Sequence, residues 1–329
     1  MVHAAPPGMD RGGVSSSAAL SVALLMALQQ ANGIDPRFDV DQWETVLLGQ
    51  RVENGYLGLR TGVLDQATVA LSRRTALTLI DCKSGRYAHE PFGCDARSDG
   101  EEEDGSGDEV GSNGEWEDRE LPFVVLLAFS GLREALTATG YNQRVDECRS
   151  AAALLRKMTA GEGGDQSELT AAPTREEREA GPFVLSDVTR EAFEAHVDRL
   201  PSTERKRATH YFDETARVAA GVTAWRRGDL AAFGRLVSAS GTSSIDNYEC
   251  GCAPMNDLRA IAVATPGVLG ARFSGAGFRG CVVALVEPGR AVEAAAAIEA
   301  QYAAAHSNLV RDGRAGVFIT RMAAGARCV

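Results

Sequence analysis

A chain of 329 residues that is 44% hydrophobic can bury a sizeable core, and by length it holds roughly two domains of about 150 residues each. No basic start leads into an apolar leader, and no stretch approaches the roughly 18 to 20 apolar residues needed to cross a bilayer, so a soluble cytoplasmic protein without a membrane partner is expected; a monomer is the expected state, which the sequence itself does not fix. Of the net charge of −11, twelve acidic and two basic residues between Asp95 and Glu120 contribute −10; the remaining −1 offers no clustered Lys/Arg face, which excludes a nucleic-acid partner.

The first dense signal is Gly12-Gly13-Val14-Ser15-Ser16-Ser17, a glycine and serine loop running into a helix predicted over 17–31. Leu20, Leu24, Ala27, Leu28 and Ala31 recur there at helical spacing, and Gly33 supplies the stop. Glycines let the backbone approach a phosphate, and the unpaired N–H groups of a first helical turn favour negative charge. With no lysine in the loop, the serine hydroxyls would do the polar work, so this is not the Gly-Lys-Ser/Thr nucleotide loop. The same serines also read as an ordinary helix cap.

A second helix is predicted over 41–53, ending at Asn54-Gly55, and a third over 63–71, followed by a strand over 76–82. Glu53 is a candidate hard-oxygen ligand, because Mg²⁺ on a nucleotide takes one or two protein oxygens beside phosphates and water. Asp65 could accept a proton from an attacking hydroxyl or cap the third helix. Residues 95–120, rich in Asp, Glu, Gly and Ser with one aromatic at Trp116, cannot offset their ordering entropy and are expected to be a disordered surface insertion.

A strand over 121–129 and a helix over 141–158 come next, then a second polar insertion at about 159–181. Helices are predicted over 190–200, 204–227 and 230–238, strands over 268–274, 281–286 and 316–322, and an Ala-rich helix over 290–306. This order implies an α+β layer with helices on one face of a largely antiparallel sheet. Gly270, Gly275, Gly277 and Gly280 punctuate the connection between the first two of these strands, which reads as a turn alone and, with the serine loop, as a second wall for a triphosphate. The seven cysteines, Cys82, Cys94, Cys148, Cys250, Cys252, Cys281 and Cys328, are expected to be reduced thiols; Cys250-Gly-Cys252 lacks the second ligand pair of a structural zinc site.

Taken together, the serine loop, the Gly275-Ala276-Gly277-Phe278 loop and Gly62-Val63-Leu64-Asp65-Gln66 resemble the second, third and catalytic motifs of the GHMP kinase superfamily, in its galactokinase branch. Leu79-Ile80-Asp81-Cys82-Lys83 and Tyr141-Asn142-Gln143-Arg144-Val145-Asp146-Glu147-Cys148 have counterparts there. Glu53 to Leu59, Phe129 to Arg133, Ser243 to Gly251 and Phe278 to Cys281 are most similar to plant-type galacturonokinases.

The resemblance implies a two-domain GHMP kinase fold, with residues 1–130 in an incomplete N-terminal domain and 131–329 in a C-terminal domain with a ferredoxin-like sheet. It implies ATP and Mg²⁺, and D-galacturonic acid or galactose phosphorylated at the anomeric hydroxyl, or a relative that only senses these ligands. Carried over by position, Asp65 is the catalytic base and touches the sugar with Tyr141. Ser17 and Glu53 hold the metal, and Gly12, Gly13, Ser15, Ser16, Ser17, Gly275, Ala276 and Gly277 hold ATP. Val14 departs from the usual leucine and Arg11 enters the loop. The loop lies close to Met1, whereas galactokinase-like chains carry an earlier motif, so part of the sugar pocket is expected to be missing.

Overall fold

The structure, a computed structural model, describes residues 14–35, 40–56, 58, 60–95, 120–132, 140–161, 183–311 and 315–327. The expected insertions at about 95–120 and 159–181 lie almost wholly outside these residues.

Three helices open the fold: α1 (Ser16–Ala31), α2 (Gln42–Tyr56) and α3 (Leu64–Leu71). Helices α2 and α3 pack around Val46, Val63, Ala67 and Leu71, and α1 lies against both. The helix positions match expectation, but the inward face of α1 does not. Ala18 and Val22 are buried, while the periodic stripe Leu20, Leu24 and Leu28 is 49%, 49% and 60% exposed. Small residues let α1 sit close enough to α2 for a side-chain bond between their polar faces, and that contact, rather than the leucines, sets its rotation.

A hairpin of β1 (Ala76–Ile80) and β2 (Tyr87–Pro91) comes next, the second strand having no sequence expectation because Tyr-Ala-His-Glu-Pro carries a weak apolar pattern. Its anchor is Glu90, 5% exposed. The Glu90 carboxylate accepts from Arg226 at 2.6 and 2.7 Å and its carbonyl accepts from Trp225 Nε1 at 2.8 Å.

The main sheet has the order β4-β5-β3-β6, with every pair antiparallel: β3 (Val124–Ser130), β4 (Val268–Phe273), β5 (Cys281–Val286) and β6 (Ala315–Thr320). The first of these strands in chain order lies between the third and fourth, which is the βαββαβ arrangement of a ferredoxin-like sheet. The expected domain limit at 130/131 therefore needs correction. It would cut off β3, which pairs residue by residue with both β5 and β6. The strand's own residues do not reveal which unit it joins, whereas its hydrogen bonds run to strands of the C-terminal unit.

Between β3 and β4 run α4 (Tyr141–Thr159), α5 (Arg190–His196), α6 (Ser202–Arg226), α7 (Leu230–Asp246) and α8 (Ala253–Ala264); α9 (Ala291–Ala305) and the short α10 (Ser307–Val310) precede β6. Alternation along β3 and β5 gives the sheet two apolar faces. Leu126, Val282 and their face neighbours pack under Met255, Leu258 and Ile298 of α8 and α9. Val125 and Leu285 point the other way, toward Trp225 of α6 and Phe233 of α7. Helices thus cover both faces, not the one face expected. Helix α7 approaches β4 through two glycines: a Cβ on Gly234 would overlap the Leu269 carbonyl, and one on Gly270 would overlap the Gly234 carbonyl. Among the described residues no helix is long and apolar enough to cross a membrane.

Candidate active site

Ser15 precedes α1 in the left-handed region at φ 58°, a conformation that costs a non-glycine residue about 1 kcal/mol or more. Its hydroxyl does not cap the helix. It hydrogen-bonds the carboxylate of Asp65 instead. Two residues further on, Ser17 Oγ donates to Glu53 Oε1 at 2.6 Å. The serines at the mouth of α1 are therefore directed at two carboxylates, and the capping alternative for Ser15 falls away.

Glu53 projects from α2 and is 2% exposed. Its second oxygen, Oε2, lies 3.2 Å from Thr61 Oγ1, whose one proton serves either this oxygen or Asn54 Oδ1 at 2.9 Å. The loop carrying Thr61 is fixed through its backbone: Thr61 N donates to Asn54 Oδ1 at 2.9 Å, and its carbonyl accepts from Gln50 Nε2 at 2.9 Å and Asn54 Nδ2 at 3.0 Å. The described donors to this buried carboxylate are both hydroxyls. Among the described residues no three His, Cys, Asp or Glu side chains group into a protein-only metal cage. A hydroxyl and one carboxylate are instead the sparse hard-oxygen set suited to a cation that takes its other ligands from phosphate and water.

Asp65 lies in the first turn of α3, whose N-cap is Val63, so it does not cap that helix either. Burial raises its pKa above the ordinary carboxylate value; the Ser15 hydroxyl opposes this and the Glu53 charge adds to it. Tyr141, the first residue of α4, has its phenol pushed up first by burial and then by the charges of Asp65 and Glu53. Ser15, Ser17, Glu53, Asp65 and Tyr141 thus lie in one neighbourhood.

The glycine-rich loop between β4 and β5 reaches the same neighbourhood. Gly275, Gly277 and Gly280 have φ of 64°, 78° and 101°, which explains why glycine stands at each. The loop is anchored where Ser130, fully buried at the end of β3, donates its hydroxyl to the Gly280 carbonyl at 2.8 Å. The Phe278 ring lies 3.8 Å from where a Cβ on Gly140 would stand, immediately before Tyr141. Ser16 is exposed beside its neighbours, Ala276 lies within the loop, and Gly12 and Gly13 lie outside the described residues. Thr61, Asn54 and Ser130 have no sequence expectation as site residues. A lone threonine or serine carries no periodic signal, and their parts arise only when the loops close.

The site thus combines a helix start beside two carboxylates with a glycine-rich hairpin from a ferredoxin-like sheet. The GHMP kinases N terminal domain matches residues 6–73 and the GHMP kinases C terminal domain matches residues 222–304. Segments of both GHMP kinase domains are thus matched in this chain. Among its relatives, the galacturonokinase of Arabidopsis thaliana is 41% identical over 310 residues, covering 94% of this chain and 62% of that protein. The galactokinase of Roseiflexus sp. (strain RS-1) is 31% identical over 277 residues, covering 84% of this chain and 57% of that protein. The crystal structure of Lactococcus lactis galactokinase complexed with galactose superposes with a TM-score of 0.72 at 26% identity, over 99% of this chain and 69% of that one. The chain thus spans less than two thirds of the length of the two curated relatives named here.

Proposed function

We propose that this chain carries the phosphotransfer site of an ATP- and Mg²⁺-dependent sugar 1-kinase acting on D-galacturonic acid. The observation that carries the reading is the pairing of Ser15 with Asp65 and of Ser17 with Glu53 at the start of one helix, in a chain 41% identical to a galacturonokinase. The serine loop binds the ATP phosphates through its backbone N–H groups and the positive end of α1. Gly275, Ala276 and Gly277 close on the nucleotide from the other side. Ser17 and Glu53 would hold Mg²⁺, which would supply neutralisation of phosphate charge.

Asp65 takes the proton of the anomeric hydroxyl while the sugar oxygen attacks the γ-phosphorus. The bond from that phosphorus to the β,γ-bridging oxygen breaks, and ADP leaves with the electron pair. A carboxylate raised by burial suits this task, because it is a better proton acceptor than one in water. Tyr141 contacts the sugar and holds it in line. Such a reaction depends on positioning and charge neutralisation, which a site of hydroxyls, two carboxylates and glycine loops supplies.

Galactose is the second reading, favoured by the fit to a galactokinase structure complexed with that sugar. The test measures ADP and sugar 1-phosphate with each sugar, using this chain and a product extended upstream in its gene. Turnover of galacturonic acid well above galactose supports the reading; turnover of galactose alone selects the second. Tight binding of ATP and sugar without product in either form would instead identify a sensor. The protein is expected to act as a cytoplasmic monomer, in keeping with free thiols at the six described cysteines. Sedimentation reads the monomer directly, against the exposed leucine stripe of α1.

A further inference from the structure

Behind the glycine loop lies a clasp of charged side chains that the phosphotransfer scheme does not use. Arg207 of α6 is only 1% exposed. It donates from Nε to Glu147 at 2.6 Å, from Nη1 to the Asn247 carbonyl at 2.5 Å and from Nη2 to Glu249 at 2.7 Å. Arg144, one turn beyond Tyr141 on α4, donates to the carbonyls of Tyr248 at 2.7 Å and Glu249 at 3.1 Å, and to Glu147 at 3.0 Å. Two guanidinium groups thus grip the chain between α7 and α8 by three successive carbonyls.

The gripped connection is strained and touches the glycine loop. Glu249 has φ 52°, a region that a non-glycine residue occupies only when its surroundings enforce it, and Gly251 comes two residues later at φ 96°. Gly277 sits so close that a Cβ there would lie 3.3 Å from Cys250 Cβ, and Cys252 Sγ lies 3.7 Å from the Phe278 carbonyl oxygen. Phe278 in turn meets Gly140 at the head of α4. The connection between α7 and α8 is thus held by α4 and α6 on one side and supports the glycine loop on the other.

We propose that Arg207 is a positioning residue for nucleotide binding, setting the height of the glycine loop through the Asn247 to Cys252 connection. This rests on the reading of that loop as nucleotide-facing. Without the fork of Arg207, Glu249 relaxes from its left-handed backbone and the loop loses its support, while the Ser17–Glu53 and Ser15–Asp65 pairs remain.

The test uses Arg207→Lys, which keeps the charge but not the three-way fork, and Glu249→Gln, a change at a side chain 41% exposed that folding tolerates. The dissociation constant of a non-hydrolysable ATP analogue is measured by calorimetry, with KM for ATP and for sugar beside it. Arg207→Lys is expected to weaken analogue binding and raise KM for ATP about ten-fold, and Glu249→Gln about three-fold, each leaving KM for sugar nearly unchanged. A purely structural role would lower the folded fraction and leave both constants alone. Unchanged nucleotide affinity in the folded Glu249→Gln protein overturns the proposal, whatever Arg207→Lys does to folding. Analogue binding without phosphotransfer would overturn the kinase reading and leave this one standing, and a wild-type protein that does not bind the analogue overturns both.

Discussion

Asp65 is pulled in two directions by neighbours that belong to different elements. Burial and the Glu53 charge raise its pKa, and the Ser15 hydroxyl lowers it. Asp65→Asn is expected to reduce turnover by about 100-fold or more while ATP affinity changes little, as assayed by ADP release and calorimetry. Ser15→Ala removes the lowering contact, so the acidic limb of the kcat/KM profile should move to higher pH. The stability consequence has a definite sign. A carboxyl whose folded pKa exceeds its unfolded value holds its proton more tightly in the native state, so stability falls as pH rises between the two values. Asp65→Asn should therefore unfold at higher denaturant than wild type at neutral pH, with the gap closing once the pH drops below the ordinary carboxylate range. A gap that widened in acid would refute the assigned burial effect.

Among the elements, close approach decides more than propensity does. Helix α7 carries Ser-Ala-Ser-Gly-Thr-Ser-Ser, a poor helical stretch by intrinsic preference for which the sequence predicts a stop at 238, yet it continues to Asp246. Ser240, Gly241, Ser243 and Ser244 are buried in it, small enough to let the helix lie on β4 and against Arg259. Packing overrides propensity here. Gly234→Ala should cost about 1 to 3 kcal/mol in urea unfolding, since its Cβ would meet the Leu269 carbonyl, which belongs to β4 and cannot give way cheaply. Helix α8 shows the opposite case. Met255, Leu258 and Ala262 lie on one buried face at helical spacing, and Pro254 stands in its first turn, so the pattern is present in the sequence although no helix is predicted there.

For the molecule as a whole, β3 is the strand on which the ferredoxin-like sheet depends, since it lies inside the sheet and bonds to β5 along one edge and β6 along the other. A product beginning at 131 is expected to lose cooperative unfolding by circular dichroism, because β5 and β6 would each lose their shared partner. A product beginning at 120 keeps that strand and should unfold in a single transition. Deleting 97–118 should leave turnover unchanged if the acidic stretch is solvated; a large loss would assign it a part in the site.

The candidate site residues are legible in the chain alone, because backbone geometry and polar chemistry restrict residue types at fixed spacing. The serines before α1, Glu53 and Asp65 flanking one loop, and the glycines at 275, 277 and 280 stand out because each position demands a hydroxyl, a carboxylate or a positive φ. The α+β class and the strand-strand-helix-strand order at the C-terminal end are legible from periodicity. Folding alone settles which side of α1 faces inward, that Thr61 joins Glu53, that helices cover both sheet faces, and that β3 belongs with the later strands. Each of these depends on what a side chain or strand meets beyond its own segment, and such pairings are fixed by packing and hydrogen bonds rather than by local pattern.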